Sequence, residues 1–212
     1  MINNDFTAIL CSRLCHDLIS PASALSNGLE LLADEEDPVG RGEVIDLLEQ
    51  SASRISSRLQ FYRLAFGSAG GFAEDLDVRE VHKALTDFFA DGKARLSCDA
   101  DVATLPKSAA KVLLNLTLLA GEGLIRGGDL LVKIQDSDGN LKLCVEARGD
   151  RFVISDAVIH ALGDPMDEAN LEPRTAPAYL AGQLLAEQGG DLEIAAVEPA
   201  GIRFESVITP AA

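Results

Sequence analysis

Two long segments with helical periodicity open the chain. Apolar residues recur at helical spacing over residues 4–33 and 41–66, and the stretch ADEEDPVGRG between them combines an acidic run with Pro38 and two glycines. This pattern predicts a helical hairpin. Each predicted helix carries one apolar stripe: Phe6, Leu10, Leu14, Leu18, Ala22, Leu25, Leu29 and Leu32 on the first, and Val44, Leu48, Ala52, Ile55, Leu59, Tyr62 and Phe66 on the second.

The two stripes are wider than a single hairpin can cover. Burial of a large apolar side chain contributes roughly 2 kcal/mol, so the favourable arrangement is one in which two hairpins pair through their exposed stripes. The sequence therefore predicts a homodimer whose hairpins form a four-helix bundle.

The pattern changes after the Gly/Ser-rich stretch FGSAGGF at residues 66–72, which predicts a boundary between a first domain at residues 1–70 and a second at residues 71–212. The second part alternates between helical and strand-like segments. The predicted elements are a helix at 78–91, a strand at ARLSCDA, a helix at PKSAAKVLLNLTLLAGEGLI, strands at LLVKIQDS and LKLCVEAR joined by a DGN turn, helices at 155–162 and 174–188, and strands at DLEIAAV and IRFESVIT. This order is typical of an α/β sandwich with helices on one face of a mixed sheet, and the chain as a whole is predicted to be α+β.

Charge and hydropathy restrict the partners. The chain has 18 Lys and Arg against 34 Asp and Glu, a formal net charge of −16, which is the opposite of the basic surface that nucleic-acid binding requires. The first residues, MINNDF, do not resemble a secretory signal, and no apolar run approaches bilayer length. We expect a cytoplasmic protein with neither a nucleic-acid nor a membrane partner.

The four cysteines do not form a recognisable metal-binding pattern. Cys11, Cys15, Cys98 and Cys144 are scattered without a Cys-x-x-Cys pair. His16 lies about 100° around a helix from Cys15, and no further ligand has a suitable spacing. We therefore expect the cysteines to act as small apolar residues and the chain to hold no metal.

The stretch CHDLISP places a histidine inside the first predicted helix. Successive helical residues turn by about 100°, so His16 falls nearly opposite the midpoint of Leu14 and Leu18 and faces away from the apolar stripe. Its neighbours on that face are polar and mostly short: Ser12, Arg13, Asp17 and Ser20. Such a surface would let another protein approach closely, but on the helical spacing alone an ordinary solvated helix face is the favoured explanation of the histidine.

Pro21 distinguishes these two interpretations. A proline in the interior of a helix costs about 3 kcal/mol because it removes a backbone hydrogen bond and crowds the preceding turn. This cost is unexpected in an otherwise good helix former, and it indicates that the turn carrying His16 has a function.

The stretch HDLISP resembles the phospho-acceptor box of dimeric histidine kinases. His16 is followed by an acidic residue at Asp17, by a hydroxyl residue at Ser20 and then by Pro21, whereas Ile19 stands where those kinases usually carry a basic residue. The order of elements after residue 72, and the final stretch YLAGQLLAEQGGDLEIAAVEPAGIRFESVITP, are similar to the ATP-binding domain of the same kinases. The resemblance covers nearly the whole chain.

The positions that would bind a nucleotide differ from the kinase pattern at three boxes. Asn115 matches the first residue of the Asn-x-x-x-Asn pair, but Leu119 replaces the second and cannot coordinate magnesium. In ARGDR, Ala147 replaces the adenine-binding aspartate and Arg151 replaces a glycine. The phosphate-binding glycine loop is replaced by the run Thr175, Ala176 and Pro177. We therefore expect this domain to have lost nucleotide binding.

A dimerisation bundle with an acceptor histidine, joined to a degenerate ATP-binding domain, resembles the ChpT-type histidine phosphotransferases of bacterial phosphorelays. The resemblance implies that His16 accepts the phosphoryl group, that Asp17 and Ser20 support it, and that the partner surface lies around it. The partner-binding residues would be Ser12, Arg13, Ile19 and Ser23. The implied partners are the receiver domain of a CckA-type hybrid kinase and response regulators of the CtrA and CpdR types, in a relay that serves cell-cycle regulation. The resemblance implies no cofactor on this chain, and Mg²⁺ would come from the receiver.

Two other functions fit parts of the sequence. A divergent histidine kinase would still use ATP, and a dimeric receiver-binding module would not carry phosphate at all. Two further histidines, His82 and His160, compete with His16 for the acceptor role, but neither lies in a matching box, and ordinary surface or packing roles account for both.

Overall fold

The computed structural model describes residues 4–67, 75–137, 139–164 and 171–209. It has the predicted α+β class, with an N-terminal pair of helices followed by a sheet and its covering helices. The boundary stretch FGSAGGF lies mostly outside the described residues, as does Asp138 of the predicted DGN turn.

The hairpin consists of α1 (Asn4–Asp34) and α2 (Pro38–Ala65). The prediction that Pro38 and the following glycines belong to the connection is wrong, because α2 begins at Pro38 itself. Asp37 caps the helix, and its carboxylate accepts a hydrogen bond from the backbone N–H of Gly40 at 2.9 Å. A proline suits the first turn, since the N–H that it lacks would have no partner within the helix.

The two helices pack closely along most of their length. Pro21, Gly28 and Ser51 are buried between them, and a Cβ on Gly28 would lie only 2.8 Å from Leu48 Cδ2. The stripe is not covered everywhere. Leu29 is 60% exposed and Leu59 is 48% exposed, so part of the predicted apolar face remains open to solvent on a single chain.

The second part contains a five-stranded mixed sheet, as predicted. Its elements are β1 (Asp75–Asp77), α3 (Val78–Phe89), β2 (Ala94–Ala100), β3 (Thr104–Pro106), α4 (Lys107–Gly123), β4 (Gly128–Ser137), β5 (Asn140–Arg148), α5 (Asp156–Gly163), α6 (Ala176–Glu187), β6 (Asp191–Ala196) and β7 (Gly201–Ile208). The strand order is β2-β4-β5-β7-β6, in which β2 and β4 are parallel and the other neighbours are antiparallel. The sequence analysis missed β1 and β3, which form a separate antiparallel pair of three residues each.

One face of the sheet carries the core. Alternate residues of the central strands are buried, including Leu130, Val132 and Ile134 of β4 and Leu143 and Val145 of β5. Helix α4 covers this face and is buried along almost its whole length. The opposite face carries charged pairs such as Arg203 with Glu146, as expected for a sheet with one solvated side.

The hairpin packs directly against the second part. The ring centroids of Phe61 on α2 and Phe88 on α3 are 4.2 Å apart. Those of Phe6 on α1 and Tyr179 on α6 are 5.1 Å apart. Phe61 and Phe6 are 0% and 2% exposed, so the two parts share one continuous core. Among the described residues, no helix combines the length and the apolar character needed to cross a membrane.

Candidate functional site

His16 lies in the middle of α1 and faces solvent, as the helical spacing predicts. Its side chain is 84% exposed. Helix α1 is continuous through this turn although Pro21 has no N–H to donate to the carbonyl of Asp17, four residues earlier. An exposed imidazole on a rigid helix is accessible to a reacting group on another molecule.

Asp17, the next residue after His16, carries a charge that is largely shielded from solvent, because its side chain is 12% exposed. One carboxylate oxygen, Oδ1, lies 3.1 Å from Nδ1 of His16. The other, Oδ2, accepts hydrogen bonds from Nε of Arg13 at 2.8 Å and from the hydroxyl of Tyr62. A guanidinium nitrogen of Arg58 lies 4.0 Å from the same oxygen.

These partners keep the Asp17 carboxylate ionised. Burial acts to raise the pKa of this carboxyl group, but the hydrogen bonds from Tyr62, His16 and Arg13 outweigh burial and hold the pKa below the ordinary aspartate value. Burial and the adjacent carboxylate raise the pKa of Tyr62 well above that of a free phenol, so the hydroxyl remains a donor.

The ionised state of Asp17 determines which nitrogen of His16 carries the proton. An ionised carboxylate can only accept hydrogen bonds, so its contact with Nδ1 is a hydrogen bond only when Nδ1 is the protonated nitrogen. In that tautomer of the neutral ring, the lone pair belongs to Nε2, at the exposed end of the imidazole. The geometry therefore presents Nε2 as a nucleophile.

The predicted partner-binding residues do not all lie on the exposed surface. Ser12, Ile19 and Ser23 are exposed on α1, as is Ser20, the residue expected to support His16. Ile19 is 63% exposed.

Arg13 differs from these residues because it is buried and not exposed on α1, and its place in the partner surface stays a prediction. Its side chain is only 8% exposed and forms an ion pair with Glu122 at the end of α4. This ion pair joins α1 to the end of α4, so the guanidinium is held between the two parts of the chain.

A cleft of about 640 Å³ opens beside His16, between α1 and the second part of the chain. Its apolar lining includes Leu119, Ile125, Val153 and Val158. Ile125 is 52% exposed and Val153 is 51% exposed, so two large apolar side chains lie open to solvent in the same cleft. A partner that reached His16 could bury this apolar surface at the same time.

Three of the positions that match the kinase nucleotide boxes are apolar and buried. Leu119 is 3% exposed and Ala147 is 0% exposed, while Pro177 lies in the first turn of α6 among buried residues. Asn115, which matches a kinase ligand position, is 0% exposed, and its amide donates to the carbonyl of Ala65 at 3.2 Å. The asparagine thus connects α4 to the end of α2.

The remaining candidates lie apart from this arrangement. His82 on α3 and His160 on α5 are both exposed, and the lining of the cleft includes neither of them. Cys11 and Cys15 are exposed on α1, whereas Cys98 and Cys144 are partly buried in the sheet. Within the described ranges, no group of three or more His, Cys, Asp and Glu side chains is arranged to hold a metal ion.

Sequence analysis missed two residues of the site, Tyr62 and Glu122. Tyr62 was placed in the apolar stripe of α2, and its burial there agrees with that assignment. The available signal was the hydroxyl itself, because a buried tyrosine needs a hydrogen-bond partner. Glu122 is an isolated acidic residue at the end of an apolar helix, and nothing in the local pattern relates it to Arg13, which lies 109 residues earlier.

Comparison with known proteins identifies the class to which this fold and site belong. The family model described as histidine phosphotransferase C-terminal domain matches residues 78–200. The chain therefore belongs to the histidine phosphotransferase family, and its activity is protein phosphotransfer.

Two relatives illustrate the similarity. The protein phosphotransferase ChpT of Brucella abortus (strain 2308) is 33% identical over 186 residues, which cover 88% of this chain and 87% of the relative. A solved bacterial phosphotransferase is 31% identical, covers 95% of each chain and superposes with a TM-score of 0.83.

The charge of Asp17 should be visible in the pH dependence of stability. Because its pKa is lower in the folded chain than in the unfolded one, ionised Asp17 stabilises the fold above its ordinary pKa, and this contribution is lost as the pH falls through the folded-state value. We predict that Asp17→Asn lowers the free energy of unfolding by about 1–3 kcal/mol near neutral pH. The difference from the unmodified protein should shrink toward about pH 3.

Urea denaturation at both pH values measures this difference. Asp46→Asn, at an exposed position of α2, is the matched control and should change stability little at either pH. An Asp17→Asn penalty that stayed constant between the two pH values would contradict the assignment of a stabilising charge.

Proposed function

We propose that this chain is a phosphorelay intermediate that moves a phosphoryl group between receiver-domain aspartates through His16. The observation that carries the proposal is the pairing of an 84% exposed imidazole with a buried, ionised carboxylate at its Nδ1. This pairing leaves Nε2 as the free nucleophile at the mouth of an open cleft. Membership of the histidine phosphotransferase family supports the same chemistry.

The transfer requires one bond to form and one to break. Nε2 of His16 attacks the phosphorus of a receiver acyl phosphate, the N–P bond forms, and the P–O bond to the receiver aspartate breaks, with its electron pair leaving on the carboxylate. Positive charge develops on the ring, and the ionised Asp17 next to Nδ1 stabilises it. The reverse sequence returns the phosphoryl group to a second receiver.

The proposal assigns no cofactor to this chain. Mg²⁺ would be bound by the acidic residues of the receiver, since hard cations prefer clusters of oxygen ligands. The expected partners are the receiver of a CckA-type hybrid kinase and regulators of the CtrA and CpdR types. Similarity to the ChpT of Brucella abortus is consistent with a relay of this kind.

An ATP-dependent kinase is a weaker alternative. The positions expected to bind magnesium and adenine are Leu119 and Ala147, which are buried and offer no side-chain oxygen. The position of the phosphate loop holds Pro177, which has no backbone N–H to offer a phosphate. A receiver-binding module without phosphotransfer would need none of the contacts that orient His16.

Replacement of His16 by glutamine tests the acceptor. The side chain is exposed, so His16→Gln should leave folding unchanged, and it removes the nucleophilic ring nitrogen. We predict that phosphotransfer from a labelled, phosphorylated receiver falls to background. The label on the unmodified protein should be acid-labile and alkali-stable, as expected of a phosphoramidate.

His82→Gln and His160→Gln are the matched controls and should retain the label. Label that persisted in His16→Gln would move the acceptor to another residue. Label that appeared with ATP alone would revive the kinase, and partner-dependent signalling that survived His16→Gln would favour the binding module.

The cleft beside His16 is the proposed docking surface for the receiver. Its exposed apolar residues, Ile125 and Val153, come from the second part of the chain, so the degenerate domain would contribute contact area without chemistry. A receiver seated there would bring its aspartate to the exposed Nε2 while it covered this apolar surface.

A charge at Val153 should weaken docking. We predict that Val153→Glu raises the receiver concentration needed for half-maximal transfer by about tenfold, because a buried, unpaired carboxylate costs more than the apolar contact it replaces. Val207→Glu is the matched control, since Val207 is 45% exposed on β7 and does not line the cleft. Equal effects of the two substitutions on transfer would argue against this surface.

The hairpin is also proposed to form the dimer. Leu29 and Leu59 are exposed on the single chain, and Ala22 and Ala52 are exposed beside them on the same faces of their helices. A second copy would cover this surface and complete a four-helix bundle.

Leu59→Gln should separate the dimer and leave each hairpin folded, because Leu59 is 48% exposed before any partner binds. Light scattering should then report half the mass of the unmodified protein, with unchanged helical circular dichroism. Leu47→Gln is the control: Leu47 is 42% exposed but lies about 120° around α2 from Leu59. A monomeric, well-folded unmodified protein would remove the dimer from the proposal.

A further inference from the structure

The two oxygens of the Asp17 carboxylate have different partners. Oδ1 faces the ring of His16, and Oδ2 accepts from Arg13 and Tyr62. The terminal torsion of an aspartate side chain is soft, so a single contact to an exposed imidazole would not fix the plane of the carboxylate. Two donors on Oδ2 do fix it, and they thereby determine where Oδ1 points.

Both donors are themselves held in place. The Tyr62 residue is 3% exposed, and its ring stacks on Phe66 with centroids 5.1 Å apart and meets the edge of Phe88 at 5.9 Å. Rotation of the phenol away from Asp17 would require this aromatic cluster to repack.

Arg13 is held from the other side of the domain boundary. Its Nε binds Asp17, and its Nη2 binds Oε1 of Glu122 near the end of α4. The planar guanidinium can serve both carboxylates at once because its donors diverge in a fixed fork. Glu122 therefore restrains the guanidinium of Arg13, and that guanidinium in turn restrains the carboxylate of Asp17.

We infer that Arg13, Tyr62 and Glu122 are positioning residues that fix His16 in the tautomer with a free Nε2, so that the second domain forms part of the phospho-acceptor site. The inference rests on the proposed function for its kinetic consequence. The tautomer itself is a property of the resting protein and can be measured without any transfer.

The competing explanation is that these contacts only join the two parts of the chain. A structural clamp would contribute stability and would leave the proton distribution on His16 unchanged. The chain offers a matched control for this explanation in the ion pair between Arg63 on α2 and Glu80 on α3, at 2.9 Å, which also joins the hairpin to the second domain. Neither residue of that pair contacts Asp17.

The experiment compares Tyr62→Phe, Glu122→Ala and the control Glu80→Ala with the unmodified full chain. Tyr62→Phe removes one donor and keeps the ring, and Glu122→Ala removes the second partner of Arg13 at a side chain that is 41% exposed. In protein labelled with ¹⁵N-histidine, the chemical shifts of the ring nitrogens report the tautomer of neutral His16. The His16 signals are assigned as those that are missing from the spectrum of His16→Gln. Initial rates with a phosphorylated receiver report transfer.

We expect the unmodified protein and Glu80→Ala to show the proton predominantly on Nδ1 of His16. Tyr62→Phe and Glu122→Ala should shift the population toward the tautomer with the proton on Nε2. Loss of one hydrogen bond to a charged group should slow transfer about tenfold in each, while Glu80→Ala stays within about twofold of the unmodified rate.

Unchanged nitrogen shifts in both Tyr62→Phe and Glu122→Ala would overturn the inference, whatever happens to the rate. A lower rate with an unchanged tautomer would identify the contacts as a structural clamp. Failure of the unmodified protein to accept any label would instead refute the proposed function, and the nitrogen shifts would still decide whether these residues position His16.

Discussion

The buried charge of Asp17 is the constraint on which the arrangement of both parts of the chain depends. Removing a carboxylate from water costs several kcal/mol unless hydrogen bonds replace its hydration. Arg13 and Tyr62 provide those bonds, and Arg13 is itself a buried charge that needs Glu122. The groups that compensate these charges therefore lie on three helices: Arg13 on α1, Tyr62 on α2 and Glu122 on α4. The polar contact between the hairpin and the end of α4 and the orientation of the exposed His16 depend on the same set of contacts.

Features that depend on local spacing were predictable from the sequence. The outward direction of His16 follows from a 100° turn per residue, and the strands at 94–100 and 141–148 follow from their composition and bounding turns. Where the prediction was wrong, a local signal has two possible meanings. Pro38 both interrupts helices and begins them, and only the capping bond from Gly40 to Asp37 decides between the two. Strands of three residues, such as β1, are too short to show any alternation.

The contacts of the site could not be predicted, because they join residues that are distant in the sequence. A helical wheel places Arg13 relative to the stripe of its own helix, and it cannot show that Glu122 of α4 lies beside it. For Tyr62, the stripe correctly predicted burial, but the partner of the hydroxyl lies 45 residues away. An apolar pattern records how much of a side chain is removed from water. It does not record the geometry of the polar atom at the end of that side chain.

In the second part of the chain, apolar residues occupy positions that match polar nucleotide-binding residues of histidine kinases. Polar groups that bind a nucleotide must stay unpaired inside the empty site, and each costs free energy until the ligand binds. Residues such as Leu119 and Ala147 carry no such cost, because they are satisfied by packing in the folded chain. Asn115 is polar, and its amide nitrogen is instead bonded to the end of α2. These residues support the hairpin, and the cleft presents apolar side chains such as Ile125 and Val153, which suit a protein surface better than a triphosphate. The proposed transfer then needs only one exposed nitrogen, that of His16, held by charges that the second part of the chain helps to bury.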